Sequence, residues 1–239
     1  MTPQEPAIPE YRIPFWNYAD LAFFVSLGFP ALLISAFIVR GFGSALQLGK
    51  PFQGLLAQLI WYAMIFGALY GLLRLRYNEP FWRSLGWKIL PFPGSILPFL
   101  AGPVLALALG YVGYILKAPV IKLPFEQMLE DRPTTIFFAV FVVILGPLCE
   151  ELAFRGFLMP LLVRSLGAVP GILATSLLFG GVHAYEYAWS WRHVLLISTA
   201  GMVFGWVRYR TGSTAASAFL HSTYNLTQFA AFMSQARAS

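Results

Sequence analysis

Two adjacent carboxylates, Glu150 and Glu151, stand with Arg155 at the end of an apolar run that reads Gly-Pro-Leu-Cys-Glu-Glu-Leu-Ala-Phe-Arg over residues 146–155. Residues 134–149 before them carry no charged side chain, so both carboxylates lie at or within a membrane. A charge at the bilayer centre costs roughly 2.5–3.5 kcal/mol on insertion scales, which makes such a residue a functional-site candidate in need of a partner. Helix geometry supplies one. Residues four apart share a face and acid before base is the favourable order, so Glu151 pairs with Arg155 while Glu150 is turned about 100° away. Glu150 is then free to face a cavity, where a desolvated carboxylate suits general-base work on water. The competing reading is a solvated helix end at the membrane interface.

Other polar residues in apolar stretches could complete such a site. His183 closes Phe179-Gly180-Gly181-Val182-His183, where the paired glycines allow close backbone approach, and His221 and Asn225, four apart, share one helix face. Each of these groups costs stability in lipid unless they converge. His193 follows Trp189-Ser190-Trp191-Arg192 and reads as an interfacial turn facing headgroups. The single cysteine, Cys149, excludes an internal disulfide and a multi-cysteine metal cluster, and reads as a small hydrophobe rather than a nucleophile.

The elements that must hold these residues are membrane spans. With 58% hydrophobic and 11% charged residues, and a mean hydropathy of +0.68, the 239-residue chain falls outside the soluble class. The fold class expected is all-α, a polytopic transmembrane helical bundle of about seven spans, within a range of six to eight. The spans expected are 18–39, 52–73, 96–116, 134–149 with an amphipathic continuation to about 164, 168–187, 193–207 and 213–232. Pro30 is expected to kink the first span. Gly67 and Gly71, and Gly201 and Gly205, have the spacing that brings helices together, the second pair inside the bundle rather than against a second subunit. Residues 74–88 interleave Arg74, Arg76 and Arg83 with Trp82 and Trp87, an interfacial loop or short helix on lipid headgroups rather than a nucleic-acid surface. Pro91-Phe92-Pro93 is expected to lead into the third span, and Glu130-Asp131-Arg132-Pro133 to open the fourth. The acids Glu5 and Glu10, with Arg12 the one base before the first span, do not make the basic start of a cleaved signal peptide, so that span is expected to remain. The net charge of +6 is read as loops beside anionic lipid.

Taken together, Glu150-Glu151-x-x-x-Arg155, Phe179-x-x-x-His183 and His221-x-x-x-Asn225 resemble the three ordered motifs of the CPBP family, which includes the type II CAAX prenyl endopeptidases, bacteriocin-processing or immunity proteins and Abi proteins. The resemblance divides the chain into an N-terminal segment with three transmembrane helices (1–133), a catalytic helical core (134–232) and a short C-terminal tail (233–239). It implies that Glu150 activates water with help from His183, that His221 and Asn225 stabilise the oxyanion, and that Glu151 and Arg155 position the first group. The family has been described both as metalloproteases and as metal-free glutamate proteases. No cofactor is favoured; if a metal is used, Glu150, His183 and His221 would form a three-ligand zinc site. A His-Glu-x-x-His motif is absent from the sequence.

The function implied is an intramembrane endopeptidase, CAAX-protease-like, that cleaves a membrane-anchored or prenylated protein or peptide by a glutamate-activated water. Two other classes stay open: a non-catalytic immunity or scaffold protein, and a proton-coupled transporter that relays through Glu150, Glu151 and His183. The partners expected are the lipid bilayer and the substrate, without nucleic acid, and the sequence leaves the oligomer open. The location expected is a multi-pass integral membrane protein, in the plasma membrane for a bacterial source. A small excess of basic residues places the amino terminus inside and the carboxylates nearer the cytoplasm.

Overall fold

The computed structural model describes residues 14–92, 94–121 and 132–236. The expectations for Glu5, Glu10 and Arg12, for Pro93, for Glu130 and Asp131, and for the last three residues of the tail lie outside the described residues. Among those described, every regular element is a helix. The long ones are α1 (Tyr18–Ala45), α2 (Lys50–Gly71, continued by a π turn Leu72–Arg76), α4 (Ile96–Ile115), α5 (Arg132–Leu166), α6 (Ala168–Val182), α7 (Trp191–Thr211) and α8 (Thr214–Ala236), with a short α3 (Phe81–Ser84) in the interfacial stretch. Four of them, α1, α2 with its π turn, α4 and α5, are long and apolar enough to cross a membrane. At 1.5 Å per residue α7 and α8 also exceed roughly 30 Å; α7 is the more polar for Arg192, Arg208 and Arg210 near its ends, and α8 for residues such as Ser217 and His221. Phe29, Phe37 and Leu97 stand exposed on the outside of the bundle, as an integral membrane protein requires where lipid is the solvent.

Local chemistry fixes the start of α1. The Asn17 side chain accepts from the amides of Ala19 and Asp20, and the Asp20 carboxylate accepts from the Asn17 amide, a reciprocal cap. Asp20 is fully buried, accepts the Tyr77 hydroxyl at 2.5 Å and pairs with Arg76 at 2.8 Å, so the beginning of α1 is locked to the end of α2. α1 continues through Pro30 as one helix, and the Trp61 indole of α2 donates to Gly28 O just before it. Trp16, in front of α1, is buried and donates from its indole to Phe157 O, which ties the amino-terminal hairpin to α5.

α5 is not one regular helix. Two π segments, Phe141–Leu145 and Leu152–Leu158, interrupt it, leaving Gly146–Glu151 as an α-helical island between them. Such segments concentrate at functional sites because each adds a residue to a turn and re-aims the side chains beyond it. The fifth span also differs from expectation. α6 ends at Val182 and measures about 22 Å, short of the bilayer core. His183 is its C-terminal cap, where the expected span ran on to Tyr187, and the chain turns back through Ala188 and Trp189, both at positive φ.

Close packing falls on only some of the small residues. A Cβ on Gly102 of α4 would collide with Thr223 Oγ1 and lie 2.6 Å from Leu220 O, so α4 and α8 meet backbone to backbone there. On α6, Gly180 meets Ser198 and Val194 O of α7 in the same way, whereas Gly181 faces open space. Gly201 and Gly205 pack internally, against Arg155 and Phe179 and against Ile172 and Met159. The expectation for Gly67 and Gly71 fails: Gly67 has nothing within 4 Å and Gly71 meets only Leu75, because the contact face of α2 carries Leu55, Tyr62, Ile65 and Leu69 instead. Gly102→Ala is therefore expected to cost about 1–3 kcal/mol and to lower the unfolding temperature by several degrees, while Gly67→Ala leaves it unchanged. Thermal unfolding of the two variants in one detergent measures the difference.

Candidate active site

The island between the π segments of α5 presents its two carboxylates to different surroundings. Glu151 is fully buried and accepts three hydrogen bonds: Arg155 Nη1 at 2.9 Å and His221 Nδ1 at 3.0 Å on Oε1, and Ser217 Oγ at 2.6 Å on Oε2. Arg155, equally buried, donates its other terminal nitrogen to Gly201 O at 2.9 Å and lays its guanidinium over the Phe179 ring, 4.4 Å from the centroid. The expected pair thus forms, and it forms across a π turn rather than a regular α turn. Gly201 lets the guanidinium come close, since a Cβ there would sit 3.1 Å from Arg155 Nη2, tighter than an ordinary contact.

Glu150 faces the other way, into a cavity of about 780 Å³ that His183, His221 and Asn225 also line. Its oxygen Oε2 lies 3.9 Å from His221 Nε2 and 4.0 Å from His183 Nε2. The hydrogen bonds on the far side of each ring decide what those nitrogens offer. His183 Nδ1 is 2.7 Å from Phe179 O, an acceptor, so Nδ1 carries the proton. His221 Nδ1 faces the Glu151 carboxylate and must also donate. In the neutral rings both Nε2 atoms therefore present lone pairs towards Glu150. Acceptors do not bond to one another, and at 3.9 and 4.0 Å from Glu150 Oε2 the two nitrogens leave room for a bridging water whose two protons reach the carboxylate and one of the rings.

The same donor types are those of a zinc site, but the spacing is not. Ligands at 2.0–2.1 Å in a tetrahedron stand about 3.4 Å apart, closer than the 3.9 and 4.0 Å found here. Among the described residues no group of three His, Cys, Asp or Glu side chains is placed to hold a metal ion.

All six residues singled out from the sequence thus lie in one place, divided into four on the cavity wall and the Glu151–Arg155 pair behind it. Asn225 donates from Nδ2 to Val142 O at 2.8 Å, which leaves one amide proton uncommitted. His193 lies in the first turn of α7, stacked on Tyr187 with ring centroids 4.8 Å apart, and is among the residues that line the cavity. Cys149 packs with the buried cluster around Tyr62 and Phe141. Two contributors escaped sequence reasoning. Ser217 gave no signal among the small residues of α8; Glu186, on the cavity wall, did give one, as a lone acid three residues after His183 in a stretch otherwise without acids.

Residues 132–227 match the family model described as Rce1-like, type II CAAX prenyl endopeptidase Rce1-like. No curated protein and no solved structure matches the chain. The matched stretch runs from the first residue of α5 into α8 and contains all six site residues.

Removing one partner of a buried ion pair strands the other charge. Arg155→Leu is expected to destabilise the fold by about 3–5 kcal/mol. Arg155→Lys recovers only part of that, because an ammonium lacks the planar fork that reaches Glu151 and Gly201 together. Both are read by thermal unfolding against the wild type.

Proposed function

We propose, taking residues 132–227 as an Rce1-like domain of the type II CAAX prenyl endopeptidases, that this membrane protein is an intramembrane endopeptidase. The observation that carries the reading is the convergence of Glu150 Oε2, His183 Nε2 and His221 Nε2 on one point of the cavity wall. A water held there donates to Glu150, which takes one proton as the water oxygen attacks the scissile carbonyl carbon. The carbonyl π electrons move to oxygen. His221 donates from Nδ1 to Glu151, and a ring that enters the cycle with Nε2 also protonated donates that hydrogen to the oxyanion and keeps it throughout. The uncommitted amide proton of Asn225 is a second donor. Collapse of the intermediate returns the electrons to the carbonyl and expels the amine, which takes its proton from Glu150. Water has then added its hydroxyl to the acyl side and its proton to the amine.

No metal enters these steps, since the spacing of the nitrogens and carboxylate does not suit one. The substrate class we propose is a membrane-anchored or prenylated protein or peptide. The apolar wall contributed by Leu109, Phe141, Phe229 and Phe232 supports it, because such a cavity admits an extended segment bearing an apolar side chain or lipid. We place the site nearer the cytoplasmic side, on the small basic excess in the loops assigned there. An immunity or scaffold role would give the cavity carboxylate no task.

The test is turnover of a fluorogenic panel by the purified protein in liposomes, with a prenylated CAAX peptide beside unprenylated membrane-anchored peptides. Glu150→Gln is expected to lower kcat/KM by about 10²-fold or more, and a chelator to leave the wild type unchanged. Cleavage that survives in Glu150→Gln contradicts the proposal, and cleavage lost to the chelator and restored by zinc replaces it with a metal-dependent one.

A further inference from the structure

The bond from Asn225 to Val142 has a cause in the sequence. In the π turn the Gly146 amide donates to Phe141 O, five residues back. In that register the donor to Val142 O would be the amide of residue 147, and residue 147 is proline, which has none. In a regular α register Gly146 would instead satisfy Val142 O, and the carbonyl orphaned by Pro147 would be that of Val143. Pro147 thus leaves one carbonyl short in either register, and in lipid an unpaired carbonyl is costly. Asn225 Nδ2, 2.8 Å from Val142 O, satisfies the one orphaned in the π register. The π turn also touches the reacting group. A Cβ on Gly146 would lie 3.3 Å from Phe141 O and 3.7 Å from Glu150 Oε1, so the Glu150 side chain folds back over the glycine that ends the turn.

From this geometry we propose that Asn225 is a positioning residue for Glu150: by capping Val142 O it selects the π register of α5, and that register aims Glu150 into the cavity. Collapse to an α register removes one residue from the turn. The two sides of the island then turn relative to each other by about 100° and shift by about 1.5 Å. The Glu151–Arg155 pair holds the downstream side, so the mismatch falls on residues 146–150. Pro147 and Asn225 are in this sense one device on two helices. This assignment is separate from any donation by Asn225 to an oxyanion and rests on the proteolytic reading only for its consequence to activity.

Two measurements that involve no turnover test it, which keeps its failure distinct from a failure of the protease reading. The first is a double-mutant cycle of thermal unfolding with Pro147→Ala and Asn225→Leu. With alanine at 147 a backbone donor replaces the missing one, so Asn225→Leu is expected to lower the unfolding temperature by several degrees in the parent and by less than half as much beside Pro147→Ala. Equal losses in the two backgrounds overturn the link through Val142. The second is the labelling rate of Glu150→Cys, in a Cys149→Ala background, by a water-soluble maleimide. Asn225→Leu is expected to slow it about tenfold, the order of effect of one lost buried hydrogen bond. An unchanged rate in a protein that still unfolds cooperatively overturns the positioning role. Should Asn225→Leu fail to fold, Asn225→Asp, which keeps the shape and loses the donor when ionised, is read in its place.

Discussion

A full charge inside a membrane protein must be paired, and the pairing of Glu151 with Arg155 organises the catalytic half of this one. Neither residue has access to water, and apart from Arg155 Nε, which has no hydrogen-bond partner, their remaining polar atoms are met by the neighbouring helices. α7 contributes Gly201 O to the guanidinium, α8 contributes His221 and Ser217 to the carboxylate, and α6 contributes the Phe179 face. The three helices that follow α5 in sequence are thereby held to it by one ion pair. Gly201 lets the guanidinium come close to the space a side chain would take.

The same pair creates a difference between two residues of identical chemistry. Glu151, on the inner face, is consumed by structure; Glu150, turned one helical step away, keeps its oxygens for the cavity. His221 bridges the two environments, with Nδ1 on the fully buried carboxylate and Nε2 facing the half-buried one on the cavity wall. His183 reaches the same point from a helix end, where its own backbone geometry and Phe179 O fix the ring.

Much of this was legible in the sequence. Charged or polar residues in apolar stretches are expensive, and that single consideration picked out the six residues that the fold gathers. The spacing of four identified the Glu151–Arg155 pair and put His221 and Asn225 on one face. The features that stayed hidden depended on neighbours. A π turn leaves no periodic mark, because Phe-Val-Val-Ile-Leu reads the same in either helical register, and the proline and asparagine that select it are 78 residues apart. The early end of α6 at Val182 is followed by a turn at Ala188 and Trp189, a residue pair with no glycine to announce positive φ. Gly67 and Gly71 had the spacing of a packing motif without the contact, since spacing says which face is small and not whether a helix lies against it. Asp20 reads in the sequence as a residue at the end of a span; its lock to Tyr77 and Arg76 depends on the hairpin closing.

The central claim is the division of labour between the two carboxylates, and the most direct measurement is thermal unfolding of Glu150→Gln and Glu151→Gln beside the wild type. Glu150→Gln should unfold within about 2 °C of the wild type, since its carboxylate has no structural partner to lose. Glu151→Gln should unfold far lower, by the cost of a buried and unpaired guanidinium. Equal shifts, or the larger shift in Glu150→Gln, would contradict the account.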